Sequence, residues 1–180
     1  RFTVRNLEMV GSANEGARTL LDVVDQTLTP MGSRLMRRWV LMPLKEVAPI
    51  EERLSVVAAP LKNKELRHKI EGPVKAIGDL ERLITKAAVG RIGPREMLQL
   101  RRSLEAVAEV QCVCAASGAP ALQRMAEQIN PCQSLADRIG REINPEPPAK
   151  IEKGGVVADG VSSELDRLRS MAGSGKEYLA

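Results

Sequence analysis

Two short stretches of this sequence carry residue types that could perform chemistry. The first, Gly173-Ser174-Gly175-Lys176, is similar to part of a loop that cradles nucleotide phosphates. The complete phosphate loop also needs a glycine five residues before its Gly-Lys pair and a serine or threonine after it. Ser170 and Glu177 occupy those two positions, and the preceding segment does not have the pattern of a buried strand. We therefore expect no nucleotide-binding residues here.

The second stretch is Cys112-Val113-Cys114, which together with Cys132 accounts for all three cysteines. A structural zinc site needs four ligands, and the single histidine, His68, lies far away in a basic segment. We therefore expect three small, partly buried thiols and a solvated surface histidine. With one histidine, no nucleophile–base arrangement can be assembled either. The sequence predicts no catalytic residue and no metal ligand.

Charged side chains are numerous, but acids and bases are interspersed. Asp79 and Glu81 form a carboxylate pair, and Asp79 stands three positions before Arg82, which predicts an ion pair on a helix surface. Two groups of arginines could contact phosphates. Because acids lie among them, we expect solvated faces or pairing with acids of another helix rather than a DNA surface. The groups are Arg34, Arg37 and Arg38, and Arg91, Arg95, Arg101 and Arg102.

The composition is that of a folded domain with an aliphatic core. Of 180 residues, 43% are hydrophobic but only 2% aromatic, which argues against an aromatic platform for single-stranded nucleic acid. No apolar run approaches the roughly 18 residues of a membrane span. The net charge of +4 permits an anionic partner without requiring one. The odd number of cysteines favours a reducing compartment, and we expect a cytoplasmic protein. The chain starts at Arg1 rather than methionine, so we expect part of a longer protein.

Hydrophobic periodicity predicts an all-α, multi-helix bundle. Thr29 before Pro30 predicts an N-cap and a helix from Pro30 to Leu41, with Trp39 on its buried side. Pro73 is expected to open a helix with a buried stripe of Ile77, Leu80, Ile84 and Ala87. The longest helix starts at Pro94, with Met97, Leu100, Leu104, Val107 and Cys114 as its apolar positions. Other helices are predicted near 20–24, from Pro49 to about Ala59, from 62 to 72, near 120–129, near 132–142 and from Ser163.

The non-helical segments lie near the ends of the chain. Residues 1–15 are expected to form an extended lead-in from a preceding domain. The proline-rich run 144–148 cannot be helical, and Gly154-Gly155 predicts a small β-hairpin near 151–158. Ser163 and Asp166 have capping-box spacing. The predicted division is a lead-in (1–15), a helical core domain (16–143), a turn with a hairpin (144–161) and the start of a further helix (162–180).

A longer motif covers the helix from Pro30. Residues 27–44 can be aligned with the pattern T-x-T-P-M-G-x-R-L-L-R-x-W-L-x-x-P-L, with Met36 as a conservative replacement. The positions that fit include Thr27, Thr29, Pro30, Met31, Gly32, Arg34, Leu35, Trp39, Pro43 and Leu44. Shorter matches, R-N-L-E, D-L-E-R, P-R-E, G-G-V-V and E-L-D, occur in order from residue 5 to residue 166. Together they resemble the MutS family of DNA mismatch-repair proteins. We expect the signature positions to have structural roles: Arg5, Asn6, Thr29, Pro30, Gly32, Arg34, Trp39, Pro43, Asp79, Arg82, Gly154, Gly155 and Leu165.

The resemblance implies a core, or lever, domain that joins mismatch-binding and connector domains to clamp and ATPase domains. The family's mismatch wedge and Walker motifs lie outside the matching region, so the resemblance implies no catalytic site here. It further implies that the parent binds mismatched double-stranded DNA, ATP and Mg²⁺, and is a homodimer. In the family the clamp begins near the position of Ala180, and helices that return after it complete the core. This chain should therefore expose an apolar face.

A freestanding basic helical module is the alternative interpretation. Its arginines would hold an acidic protein or a nucleic acid. It predicts measurable DNA affinity for this chain, with a steep dependence on salt. The core-domain interpretation predicts weak binding or none, because the DNA-gripping parts of the family lie elsewhere.

Overall fold

The structure, a computed structural model, describes the backbone of residues 6–178 and the side chains of residues 6–173. Within that range the fold is all-α, as predicted, and its β-structure amounts to one isolated bridge. A short 3₁₀ helix covers Ile151–Lys153. The α-helices from residue 20 onward are α1 (Leu20–Val24), α2 (Pro30–Leu41), α3 (Val47–Lys62), α4 (Lys64–Ala76), α5 (Leu80–Ala88), α6 (Pro94–Ala115), α7 (Pro120–Gln128), α8 (Gln133–Glu142) and α9 (Ser163–Tyr178).

Helix α6 is the centre of the fold. Its 22 residues extend about 33 Å at 1.5 Å per residue. The first half packs against α5 and α8, and the second half packs against α4 and α7. We call helices α3–α8, residues 47–142, the bundle. Its two buried clusters are Leu83, Leu98, Leu100, Leu104, Ala136 and Ile139, and Leu66, Val110, Cys114, Leu122 and Ala126.

The start of α6 follows from local sequence. Gly93 is the N-cap and Pro94 occupies the first helical position. The carboxylate of Glu96 accepts a hydrogen bond from the Gly93 N–H at 3.1 Å, which satisfies one free donor of the first turn. Three of the predicted apolar positions, Leu100, Leu104 and Cys114, are buried, while Met97 and Val107 are half-buried.

Helices α1 and α2 pack on each other, and neither contains a buried residue. We call them, residues 20–41, the N-terminal unit. Helix α2 has the predicted bounds, and Thr29 is its N-cap. The expectation that Trp39 is buried is wrong, because its side chain is 38% exposed. The apolar side of α2 does not face the core clusters of the bundle, so periodicity alone misassigned it.

The lead-in is not extended over its described residues. Residues 7–16 form turns and bends, and Glu8 has a φ of +48°. The backbone of this segment contacts α1 through a hydrogen bond from the Leu21 N–H to the Met9 carbonyl at 2.9 Å. Thr19 and Asp22 then form a capping box at the start of α1. The remaining residues of the predicted lead-in, 1–5, lie outside the described part of the chain.

Two predicted boundaries between residues 47 and 90 are wrong. Helix α3 begins at Val47, so Pro49 lies in its first turn, and Asn63 separates α3 from α4 by capping the latter. Pro73 lies within α4 rather than opening a helix, and its ring is buried. The next helix starts after Asp79, which places Leu83 in the core and leaves Ile84 56% exposed.

The predicted hairpin near 151–158 is also wrong. Gly154 and Gly155 have φ values of +70° and +71° and follow the 3₁₀ turn. Residues 156–158 pair instead with the end of α8. The Asn144 N–H donates to the Val156 carbonyl at 2.8 Å, and the Ala158 N–H donates to the Glu142 carbonyl at 2.9 Å. This long-range antiparallel bridge closes the proline-rich loop onto the bundle.

Helix α9 starts at Ser163, as predicted, but its capping residues differ from the prediction. The hydroxyl of Ser162 accepts from the Leu165 N–H at 3.3 Å, and the carboxylate of Asp166 accepts from the Gly160 N–H at 2.9 Å. Among the described helices, none combines the length and apolar character needed to cross a membrane.

Candidate functional site

The family-signature segment begins with a hydrogen-bonded turn between α1 and α2. The carboxylate of Asp25 accepts bonds from the hydroxyl of Ser33 at 2.5 Å and from the hydroxyl and N–H of Thr27 at 2.6 and 3.1 Å. The bond from Ser33, followed by those from Thr27, holds the pKa of Asp25 below its usual value. The hydroxyl of Thr29 accepts from the Gly32 N–H at 3.0 Å. These contacts fix the first turn of α2.

Gly32 is required by close packing against this turn. A Cβ at position 32 would lie 3.1 Å from Thr27 Cβ and 3.1 Å from Thr29 Oγ1. Both neighbours are already held by hydrogen bonds. The first turn of α2 therefore fits around a glycine, which gives a physical reason for that position of the motif.

Arg34 connects α2 to α5 through two carboxylates. Its Nη1 and Nη2 donate to the two oxygens of Asp79 at 2.9 and 2.7 Å. Its Nε and Nη2 donate to one oxygen of Glu81 at 2.9 and 2.5 Å. We call these three side chains the Arg34 cluster. The expectation that an arginine of this group pairs with acids of another helix is confirmed for Arg34.

Asp79 has a second role as the N-cap of α5. One of its oxygens accepts from the Arg82 backbone N–H at 3.3 Å. Its predicted surface pair with the Arg82 side chain is replaced by the bidentate contact with Arg34, which is the main reason that the pKa of Asp79 is low. The same contacts, first with Asp79 and then with Glu81, raise the pKa of Arg34. The Arg82 side chain is exposed.

Trp39 contacts α3 through a cation–π interaction. The guanidinium carbon of Arg53 lies 3.8 Å from the centre of the Trp39 ring. This distance is well within the range in which an aromatic face attracts a cation. Pro43, the next signature residue, is exposed just beyond the end of α2.

The remaining arginines do not form a continuous basic surface. Arg101 pairs with Glu105 at 2.8 Å, and Arg95 donates to the Pro147 carbonyl at 3.2 Å. Arg37 and Arg38 are exposed on α2. Because Arg34 and Arg101 are paired with acids, the described arginines do not form an uninterrupted set of free positive charges for a phosphate backbone.

One ion pair made by a motif residue was not predicted from the sequence. Glu96 of the P-R-E match pairs with Lys86 of α5, besides accepting from the Gly93 N–H. Both contacts, that of Lys86 first, lower the pKa of Glu96. A glutamate three residues after a helix N-cap was the available signal.

The sequence candidates for other chemistry do not assemble into a site. The backbone of residues 173–176 is helical, so these residues do not form a phosphate loop. Cys114 is buried, which raises the pKa of its thiol, while Cys112 and Cys132 are exposed. His68 is exposed beside Glu71. In the described part of the chain, no group of three or more metal-ligating side chains could hold an ion.

The other signature residues lie near the two ends of the described chain. Gly154 and Gly155 occupy exposed, left-handed positions that suit glycine. Leu165 is half-buried at the start of α9. Asn6 is exposed in the lead-in, and Arg5 lies outside the described residues. The structural roles expected for these five positions stay a prediction.

A large apolar surface remains exposed around the N-terminal unit and α3. A cavity of about 370 Å³ lies between the α1–α2 turn and α3–α4, next to exposed side chains of Leu28, Val57 and Leu61. Exposed apolar area of this kind marks an interaction surface more often than a solvated one. The other large apolar side chains exposed in this region are Leu20, Val23, Val24, Leu35, Met42, Val47 and Leu54.

Comparison with known proteins identifies the family. The model for MutS domain III matches residues 2–176. The DNA mismatch repair protein MutS of Parabacteroides distasonis is 50% identical over 179 residues, which cover 99% of this chain and 21% of that protein. Proteins of the same name from Bacteroides fragilis and Cytophaga hutchinsonii are 50% and 46% identical with the same coverage. This chain thus spans about a fifth of the length of these relatives. It belongs to the MutS family and is similar to domain III of that family.

Proposed function

We propose that this chain is the core domain of a DNA mismatch-repair protein, in which it couples binding of mismatched DNA to the ATPase. The family match over residues 2–176 supports the assignment to this domain. The coupling is a mechanical role, which requires no catalytic residue in this chain. Its division into a lead-in, core domain, turn and final helix stays a prediction.

The observation that carries the proposal is the continuity of α6. This helix runs unbroken for 22 residues, and buried side chains along it belong to both core clusters. A displacement at one end of a stiff, packed helix reaches the other end, whereas a flexible segment would absorb it. The capped start at Gly93 and the buried polar contact of Ser103 further hold α6 to its neighbours.

The exposed apolar side chains of α1, α2 and α3 support a place within a larger protein. We propose that further parts of the parent chain cover them, as the family resemblance implies. By the same resemblance, ATP and Mg²⁺ bind in another domain, mismatched double-stranded DNA is the substrate and the parent is a cytoplasmic homodimer. Neighbouring domains of the same chain are then the direct partners of this one.

The test lowers the helix stability of α6 in the full-length protein without removing a core contact. Glu109 and Cys112 are exposed on α6. Changing both to glycine should cost about 2 kcal/mol of helix stability relative to changing both to alanine, which is the matched control. We expect basal ATPase activity and mismatch affinity to stay near wild type in both variants. The stimulation of ATPase by mismatched over matched DNA should fall about fivefold or more in the glycine variant alone. Unchanged stimulation, with faster hydrogen exchange in α6, would contradict the proposal.

A binding measurement on this chain separates the proposal from the freestanding-module alternative. The 180-residue chain is titrated with matched and mismatched duplex DNA at low and at physiological salt. The core-domain proposal predicts weak or undetectable binding to both. Tight binding that falls steeply with salt would favour the alternative, because each neutralised phosphate adds to the salt dependence.

A further inference from the structure

The N-terminal unit has few connections to the rest of the fold. Among the described helices, α2 has its closest packing with α1, and no residue of either helix belongs to a core cluster of the bundle. Among the described residues, two side-chain contacts of the hydrogen-bonded, ionic or cation–π kind join α2 to the bundle. They are the Arg34 cluster, which reaches α5, and the stacking of Arg53 of α3 on Trp39. Both are polar contacts made by partly exposed side chains.

The space between the unit and the bundle is incompletely filled. The cavity of about 370 Å³ separates Gln26 and Leu28 from Val57, Leu61, Ile70 and Val74. A packed interface has few voids larger than a water molecule. Apolar packing is therefore incomplete at this position, and the Arg34 cluster and the Trp39 stack are restraints that hold α2 to the bundle.

We propose that residues 20–41 form a hinged unit that the Arg34 cluster latches to α5, and that this unit moves away from the bundle, without unfolding it, when the cluster opens. The physical basis is that both buried clusters lie in the bundle and that no residue of the unit belongs to either of them. Opening breaks exposed ion pairs and one ring stack, while α6 keeps both of its buried clusters. This proposal concerns a motion of this chain and does not depend on the proposed coupling function.

The Arg34 cluster also ties the unit to the cap of α5, because Asp79 serves both. When the unit moves, α5 loses a restraint on its first turn but keeps its cap. Asparagine at position 79 would remove the charge and retain the capping oxygen. The latch can therefore be opened from the α5 side by Asp79→Asn with Glu81→Gln, without uncapping the helix.

The first test is hydrogen exchange of the 180-residue chain, followed peptide by peptide. Arg34→Gln should speed exchange in residues 20–41 by about fivefold, the upper range for an exposed ion pair, and leave residues 94–115 unchanged. Arg37→Gln is the matched control. It lies on the same helix, is exposed and has no ion pair among the described residues, so it should behave as wild type. Equal protection in the Arg34 and Arg37 variants, or faster exchange across α6 in the Arg34 variant, overturns the proposal.

The second test uses Trp39, the only tryptophan of the chain, as a reporter. Salt at about 1 M shortens the screening length to about 3 Å and should weaken the exposed cluster. Acrylamide quenching of Trp39 should rise with salt in the wild type, and Arg34→Gln should already show high quenching that salt does not increase. The Asp79→Asn/Glu81→Gln variant should match Arg34→Gln, and combining all three changes should add nothing further. Additive effects, or quenching that is insensitive to salt in the wild type, contradict a latch.

Discussion

Ser103 holds the turn between α4 and α5 to the centre of the bundle. Its fully buried hydroxyl accepts a hydrogen bond from the Gly78 N–H at 3.0 Å and donates to the Gln99 carbonyl at 2.9 Å. A Cβ at Gly78 would lie 3.2 Å from the same hydroxyl. The turn, the glycine and the serine are therefore fitted to one another.

Removing this hydroxyl should destabilise the bundle. Ser103→Ala leaves the Gly78 N–H without its acceptor, and we expect a loss of about 1–3 kcal/mol in the free energy of unfolding. Urea denaturation measures it. The control is Ser134→Ala, a change at an exposed serine of α8, which should stay within about 0.5 kcal/mol of wild type. Equal effects of the two changes would show that the buried hydrogen bond contributes no more to the free energy of unfolding than an exposed hydroxyl does.

The second core cluster should be sensitive to cavity formation. Leu122 of α7 is 2% exposed, whereas Leu135 of α8 is 43% exposed. We expect Leu122→Ala to cost about 2–5 kcal/mol and Leu135→Ala much less, because only the first leaves a buried cavity. Thermal and urea denaturation of both variants provide the comparison. A similar cost at both positions would contradict the assignment of Leu122 to the core.

Two glycines in helices should respond in opposite directions to the same substitution. At Gly173 of α9, apart from the adjacent residues and the helix backbone, no atom lies within 4 Å of the position that a Cβ would take, so Gly173→Ala should stabilise α9 by about 0.5–1 kcal/mol. Gly32→Ala should destabilise by about 1 kcal/mol, because the new methyl group meets Thr27 and Thr29, which are held by hydrogen bonds. Denaturation measures both variants. Stabilisation at both positions would show that the turn before α2 can shift to accommodate the methyl group.

The contact of Glu96 with Lys86 and the Gly93 N–H should appear in the pH dependence of stability. These partners lower the pKa of Glu96 in the folded state. The stabilising contribution is therefore complete above the unfolded pKa of about 4.3 and is lost as pH falls through the lower folded value. Glu96→Gln should flatten the stability profile between about pH 5 and pH 2. Glu109→Gln, at an exposed position of the same helix, should leave the profile unchanged. Parallel profiles for wild type and Glu96→Gln would be inconsistent with the contact.

Trp39 should matter less to the stability of the bundle than its motif position suggests. Because it is 38% exposed and stacks on Arg53, we expect Trp39→Ala to cost about 1 kcal/mol, rather than the roughly 3–5 kcal/mol of a buried aromatic residue. The measurement is urea denaturation followed by circular dichroism, since the change removes the fluorophore. A loss above about 3 kcal/mol would place Trp39 in the core of the chain in solution.

The sequence by itself determined the helical class and several helix starts. Thr29 and Pro30 specified the start of α2, and Pro94 specified that of α6, since capping residues act within one turn. The family motif could likewise be recognised from the sequence, because it lies in a continuous run of residues. These signals are local, and no distant contact is needed to read them.

The tertiary structure decided which residues that are far apart in the chain contact each other. Pro73 lies inside α4 with its ring buried, and the turn after α4 is held by the bond between Gly78 and Ser103, which are 25 residues apart. Residues 156–158 pair with the end of α8 rather than forming a local hairpin. Arg34 finds its acceptors 45 and 47 residues away. Such contacts depend on how the helices pack against each other. The hydrophobic periodicity of one helix does not specify which of its sides contacts another helix. Trp39, which lies on the apolar side of α2 and is nevertheless exposed, is an example.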